Sequence, residues 1–248
     1  MTLGTKEWAA VNVNFSKGCS NGCLYCYARR IANRFGWKKD EEWTNMTNKP
    51  ELAYRKFKKR QGWIMSPSSH DITEENIGLA LKVFKNILDA KNKLLIVSKP
   101  NPDLVRALCE ELHPWQNQIL FRFTIGTLND KIRQYWEPYA PSIEKRLQAL
   151  KYSYNHKWNT SVSIEPFLDE KLINLIEVVS PYVKSTIWVG PMNKIHVPKD
   201  LWTEKLTGLY SSESLKKFKA KIERQNGAKI CYKDHFFHIM SKSKKTST

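Results

Sequence analysis

At 248 residues, 41% of them hydrophobic and 12% aromatic, the chain is long enough to bury one sizeable core, and it holds no run of eighteen apolar residues from which a membrane-spanning helix could form. Lys and Arg number 41 against 24 Asp and Glu, a net charge of +17; the surplus suits a polyanionic partner, nucleic acid first, although a lysine-rich composition bias produces the same count. Five cysteines, odd in number and unevenly spaced, do not make a disulfide framework, and the start MTLGTKEWAAVNV lacks the layout of a secretory signal, so the expected compartment is the cytoplasm, where thiols stay reduced.

In chain order, AVNVNF (10–15) alternates like a short strand and runs into a cysteine-bearing loop. YARRIANRFG reads as a helix closed by Gly36. After a polar stretch with tryptophans, a basic helix is expected from about Glu51 to Arg60, then a short buried strand, WIMS (63–66). EENIGLALKVFKNILDA has apolar residues at helical spacing, KLLIVSK (93–99) is a strand, and PDLVRALCEEL is a helix with Pro102 near its start. ILFRFTIG (119–126) is a strand and SIEKRLQALKYSYN a helix opened by Ser142. TSVSIEP (160–166) is a strand, EKLINLIEVVSPY mostly helix, and STIWVGP (185–191) a strand. SESLKKFKAKIERQNG is a helix capped by Ser212 and ended by Gly227, and AKICY (228–232) offers a final short strand. The basic tail 241–248 is expected to be disordered.

Strands alternating with helices indicate βαβ units and a parallel sheet. Six clear pairs within residues 1–240 give the expected fold: α/β, a partial (β/α)6 TIM-type barrel in a single domain. Reactive groups of such barrels gather at the C-terminal ends of the strands. The cysteine loop, SPSSHD, SKP and GPMN all fall at such ends.

The loop reads GCSNGCLYCYARR, with Cys19, Cys23 and Cys26 spaced Cys-x3-Cys-x2-Cys. Three thiolates this close can hold zinc or an iron–sulfur cluster. A closed zinc site needs a fourth ligand, from Cys109, Cys231 or a histidine, and Cys109 falls on an apolar helix face. A 4Fe–4S cluster on three thiolates leaves one iron for a small-molecule ligand. With Gly18 and Gly22 easing a tight loop, that is the better account of the spacing.

Tyr25 completes the pattern Cys-x3-Cys-x-aromatic-Cys, which resembles the signature of the radical S-adenosylmethionine (SAM) superfamily. Within it, the loop looks most like the spore photoproduct lyase group of DNA-repair photolyase-like proteins. NKPELAYRKFKKRQGWIMSPSSHD, LLIVSKPNPDLVRALCEEL and TIGTLNDKIRQYWEPYAPSIEKRLQALK resemble further pieces of that group, so the likeness covers roughly residues 10–155. The resemblance implies a 4Fe–4S cluster on Cys19, Cys23 and Cys26, with SAM on the fourth iron. It implies Tyr25 beside the adenine, Lys99 and its neighbour Ser98 at the SAM carboxylate, and Ser66, Ser68 or Ser69 and Thr124 at the methionyl end. The implied activity is reductive cleavage of SAM to a 5′-deoxyadenosyl radical that takes hydrogen from a nucleic-acid or nucleotide-like substrate. An electron donor such as flavodoxin or ferredoxin would serve it. Tyr27 matches a tyrosine of the lyases implicated in hydrogen transfer. The cysteine that those lyases carry after the second strand has no counterpart in SPSSHD.

Other residues carry two readings each. Glu165, ending the fifth strand, is in reach of a ribose hydroxyl. His70 and Asp71 touch substrate or SAM, or Asp71 caps the following helix. Cys231 is a hydrogen donor or a small buried residue, and Asn193 a site group or a turn residue. Trp37, Trp43 and Trp63 interleave with cations that flank the loop and the second strand, at 29–39 and 49–60; they stack on bases or belong to the core. The rival functions are modification of a peptide or small metabolite, and a zinc-stabilised nucleic-acid-binding module without catalysis.

Overall fold

The computed structural model describes residues 4–224 and 229–241. Seven strands form one parallel sheet: β1 (Val11–Asn12), β2 (Trp63–Met65), β3 (Lys93–Ser98), β4 (Ile119–Thr124), β5 (Asn159–Ile164), β6 (Thr186–Val189) and β7 (Lys229–Tyr232). Each pairs with the next in chain order, and β1 and β7 are the two free edges. The expected partial barrel is therefore present as an open one. AKICY supplies a seventh strand, parallel to β6, beyond the six expected.

The helices are α1 (Tyr27–Arg34), α2 (Ile77–Asp89), α3 (Pro102–Glu111), α4 (Asp130–Trp136), α5 (Ile143–Asn155), α6 (Leu172–Val179), α7 (Glu204–Leu209), α8 (Ser212–Glu223) and α9 (Asp234–Met240). An antiparallel ribbon pairs Ser16–Lys17 with Thr47–Asn48. The caps follow local chemistry. Asn101 accepts from the Asp103 N–H with Pro102 in the first turn of α3, and Ser142 accepts from the Lys145 N–H to open α5.

Side-chain alternation along the strands splits the interior in two. Leu94 and Ile96 of β3 and Phe121 and Phe123 of β4 join the main core with the helices. Leu95 and Leu120, one residue away, join Met65, Ala9, Trp8, Trp63 and Val97 in a second apolar cluster inside the barrel.

Three expectations change. The basic segment Glu51–Arg60 is not a helix: one 3-10 turn covers Pro50–Tyr54 and the chain then extends. Five cations at 55–60 would repel one another across helical turns, and Asn92 fixes the extended path by accepting from the Arg60 N–H and donating to the Lys58 carbonyl. The cap of α8 is Ser211, whose Oγ accepts from the Ser214 N–H, while the Ser212 hydroxyl donates to the Met240 carbonyl. Three short helices, α4, α7 and α9, lie where no helix is expected; Asn129, capping α4, is the signal for the first. Gly227 and all of the tail but Ser241 fall outside the described residues. Among the described residues no helix is long and apolar enough to cross a membrane.

Candidate active site

The cysteine loop leaves β1 and enters α1 at the C-terminal end of the sheet. Its course depends on two glycines with positive φ. A Cβ on Gly18 would lie 2.6 Å from the Trp43 carbonyl, and one on Gly22 would lie 2.8 Å from the Tyr139 ring. The Cys19 N–H donates to the Trp43 carbonyl and the Leu24 N–H to that of Trp136. The Asn21 side chain donates to Asp71 at 2.7 Å. Cys26 caps α1, its Sγ accepting from the Arg29 N–H.

Cys19 and Cys23 are buried, and Cys26 is half-buried beside them. Burial pushes the Cys19 thiol well up, with Asp71, Cys23 and Cys26 adding to the effect. Burial pushes Cys23 up to about 12, against the pull of Lys99, and raises Cys26 as well. Among the described residues, no group of three or more His, Cys, Asp or Glu is arranged to hold a metal ion. A four-iron cluster is a larger body than one ion, and its ligands stand further apart. Three neighbouring thiols that influence one another, with a lysine beside one of them, suit the thiolate chemistry of such a cluster. Cys109 lies apart, on α3 and buried in the main core. Cys231 shares a register position with Trp188 inside the barrel.

Lys99 follows β3 into the same site. Its Nζ is 5.7 Å from the centre of the Tyr25 ring and 3.9 Å from Glu137 Oε1. Burial works against its charge, but Cys23 and Glu137 outweigh that and hold its pKa above the usual lysine range. The Tyr25 hydroxyl donates to Glu137, and its ring tilts against Trp136. Glu137 is fully buried; burial opposes its charge, yet Arg146 and Lys99 keep its pKa below the ordinary glutamate value. Arg146, also fully buried, pairs with Glu137 and donates to the Thr124 carbonyl at 3.1 Å. This pair was not singled out as part of the site. Nothing local in EPYAPSIEKRL separates Glu137 and Arg146 from the exposed charges Glu144 and Lys145 in the same stretch.

The loop after β2 is folded around Asn14, whose Oδ1 accepts from the N–H groups of Ser68 (2.7 Å) and Ser69 (3.1 Å). The Ser66 hydroxyl donates to the Val13 carbonyl at 2.8 Å. Tyr27, 38% exposed at the mouth, donates its hydroxyl to the Ser68 carbonyl. Asp71 is not a helix cap. It is buried and accepts from Asn21, the Ser98 hydroxyl and the N–H groups of Ile72 and Lys99, so it ties the cysteine loop to the end of β3. His70 faces the backbone of Phe15 and Ser16. Asn193 is a turn residue that accepts from the Ile195 N–H.

Thr124 ends β4 on the barrel-lining face. Glu165 follows β5; burial pushes its carboxyl up to about 7, and it stands 3.9 Å from Lys233. The structure thus gathers Cys19, Cys23, Cys26, Tyr25 and Lys99 directly. Ser66, Ser68, Ser69, Ser98, Thr124 and Glu165 end or follow strands on the same side of the sheet, and Tyr27 opens α1. Trp43 is core beneath Cys19, and Trp63 opens β2 with Lys93 over its ring. Trp37 is exposed and stacks on Phe35.

No family model matches the chain. An uncharacterized protein of Methanocaldococcus jannaschii is 29% identical over 160 residues, 64% of this chain and 60% of its own length. An uncharacterized protein of Acidianus two-tailed virus is 26% identical over 171 residues, 64% of this chain and 55% of its own length. The match thus spans less than two thirds of either relative. Among solved structures, Streptococcus suis SuiB bound to S-adenosylmethionine superposes with a TM-score of 0.61 at 12% identity, over 94% of this chain and 53% of SuiB. A cysteine-to-serine mutant of spore photoproduct lyase superposes with a TM-score of 0.52 at 16% identity, over 76% of this chain and 58% of that one. At these identities the likeness speaks for the fold: seven parallel strands in chain order give the chain the open-barrel fold seen in these two structures.

Proposed function

We propose that the chain is a radical SAM enzyme acting on a nucleic-acid or nucleotide-like substrate. The observation that carries the enzyme reading is the gathering of Cys19, Cys23 and Cys26 at the C-terminal end of the sheet, close enough to influence one another, with Lys99 beside Cys23. These thiols would hold a 4Fe–4S cluster. With an electron from a donor such as flavodoxin or ferredoxin, that group would supply reductive cleavage of SAM to methionine and a 5′-deoxyadenosyl radical able to take hydrogen from a substrate.

The chain's own residues bind, orient and exclude water. Lys99 offers a desolvated ammonium, a compact partner for a carboxylate, steadied by Glu137 and the Tyr25 ring. Glu137 and Arg146 lock Tyr25 and the end of β4 in place from behind. Glu165 can hold or release a proton near neutral pH, and Tyr27 presents a phenol at the mouth.

The nucleic-acid reading is supported by the surface beside the loop. Phe35 and Trp37, 59% and 62% exposed, stack 5.3 Å apart, with Arg34 over the Phe35 ring. Aromatic faces among cations suit base stacking and phosphate contact.

Anaerobic reconstitution tests the enzyme reading. Cys19→Ala, Cys23→Ala and Cys26→Ala should each lose bound iron, while Cys109→Ala and Cys231→Ala keep it. Lys99→Ala should keep its iron but bind SAM more weakly by about 1.5–3 kcal/mol, the loss of a charged hydrogen bond. Full iron in any of the three loop variants, or no 5′-deoxyadenosine from the reduced wild type, would overturn the proposal.

A further inference from the structure

Arg122 lies in the middle of β4, on the barrel-lining face, two residues before Thr124. That places it about 7 Å deeper than the strand end. It is 5% exposed. The other buried arginines have carboxylate partners: Arg133 has Asp130 at 2.6 Å and Arg146 has Glu137. Arg122 is in no such ion pair among the described residues. Its Nε donates to Ser161 Oγ at 3.0 Å, and Nη2 reaches Thr186 Oγ1 at 3.5 Å. Nη1 is buried and has no hydrogen-bond partner. The ring centres of Trp8 and Trp188 lie 4.6 and 5.4 Å from the guanidinium carbon, and the two rings meet edge to face at 5.8 Å. The indole N–H groups of both tryptophans are also buried and without partners.

Arg122 Nη1 and the N–H groups of the two indoles packed against the guanidinium are thus buried donors without acceptors. The arrangement is costly as it stands, since a buried donor without an acceptor loses its hydration for nothing. Glu165 favours the charge of Arg122 from a distance without forming an ion pair with it. Glu7 is taken by Lys233 at 3.0 Å and by the Asp234 N–H, and Glu165 stands toward Lys233. With indoles packed against it and Nε and Nη2 turned to Ser161 and Thr186, the guanidinium keeps Nη1 for an incoming group, and an N–H at its edge is how it grips an oxyanion.

We propose that Arg122, with the indole N–H groups of Trp8 and Trp188, is an oxyanion subsite inside the barrel that receives a phosphate of the substrate. This rests on the reading above that the substrate is nucleotide-like and enters the barrel from the cysteine-loop end. Trp8 follows the N-terminal turn Gly4–Glu7 and covers the guanidinium. Entry of a phosphate shifts that ring, so tryptophan fluorescence reports it.

The test uses the full chain, prepared anaerobically, with deoxynucleoside monophosphates, the matching nucleosides, and a short acidic peptide as probes. Wild type should bind the monophosphate about tenfold or more tightly than the nucleoside. Arg122→Met should remove most of that difference while leaving nucleoside affinity in place, and Trp188→Phe should remove part of it. If Arg122→Met does not fold, Arg122→Lys keeps the charge without the planar fork and should lose most of the same difference. Equal affinity of wild type for nucleotide and nucleoside, no binding of either, or a preference that survives Arg122→Met or Arg122→Lys would overturn the proposal. Arg122-dependent binding of the acidic peptide in place of the nucleotide would overturn it in favour of a carboxylate site. Wild-type cleavage of SAM without substrate is measured separately and tests the enzyme reading, whichever way phosphate recognition turns out.

Discussion

His70 shows how a titratable side chain at this site serves the backbone. Its Nε2 accepts from the N–H groups of Phe15 (3.1 Å) and Ser16 (3.0 Å), which only a neutral ring can do, and so the proton sits on Nδ1, 3.1 Å from the Asp71 carbonyl. Burial lowers its pKa from 6.5 to about 4. The unfolded chain therefore binds this proton below pH 6.5, and the folded chain only below about 4, so stability falls as pH drops through that window. The expected loss from His70 between pH 7 and pH 5 is about 2 kcal/mol, read as a fall in the urea midpoint. His70→Gln, which keeps an acceptor but cannot titrate, should lack that component. Equal pH profiles for the two proteins would refute the assignment. Sequence position alone puts His70 at a strand end, where a substrate contact is a fair expectation. Its partners lie 54 and 55 residues away, and no local pattern announces them.

Two basic segments that look alike in sequence part company as elements. The cations of α1 and the following turn adjoin the cysteine loop: Arg30 donates to the His196 carbonyl, Arg34 lies over Phe35, and Lys38 reaches Thr47. Lys49 stays near the same end, with Nζ 3.4 Å from the Asn14 carbonyl. Residues 55–60 instead run toward the start of β3, where Arg60 meets Asn92 and Lys59 meets Lys91. That is the N-terminal end of the sheet, opposite the candidate active site. A single strand bound at the mouth should therefore lean on α1. Reversing Arg34 and Lys39 to glutamate should reduce the magnitude of the log affinity–log salt slope by about 1.4, at roughly 0.7 per lost phosphate contact. Reversing Lys56, Lys58 and Lys59 should leave it nearly unchanged. Binding to single-stranded DNA over a salt series checks both, and the opposite ranking would move the interface to the other end of the barrel.

For the whole molecule, an open sheet leaves two edges to be managed. The N-terminal turn Gly4–Glu7 does this by reaching both. Thr5 accepts from Asn12 of β1 at 2.6 Å. Past the end of β7, Lys233 donates to the Gly4 carbonyl at 2.8 Å and pairs with Glu7 at 3.0 Å, and the Asp234 N–H donates to Glu7. Both charged side chains are buried, at 4% and 7% exposure. Removing one member of a buried pair strands the other. Glu7→Ala should cost about 3 kcal/mol, the low end for such a loss because Glu165 remains 3.9 Å from Lys233. In a chain of this length that lowers the melting temperature by about 6–12 °C. Glu7→Ala combined with Lys233→Met should recover part of the loss. A melting temperature unchanged by Glu7→Ala would remove the turn from the account of how the barrel is held.

Periodicity and spacing were enough for much of this protein. Strand and helix alternation set a parallel sheet because each strand buries both faces and each helix one, and Cys-x3-Cys-x2-Cys marked the loop because three thiols so close have few other uses. The place of Lys99 at the end of an apolar strand was legible from the same periodicity, whereas its role at SAM came only from the family resemblance. Tertiary structure alone decided the rest. The buried Glu137–Arg146 pair joins the segment after α4 to α5 behind Tyr25. Asp71 gathers donors from β3 and the cysteine loop, and Arg122 meets Trp8 and Trp188 only when strands far apart in sequence curl into a barrel. The basic run at 55–60 lost its helix to like-charge crowding and to Asn92. A local pattern reports which face of an element is apolar, whereas the partner of a buried charge is set by long-range geometry, where desolvation makes each missing partner costly.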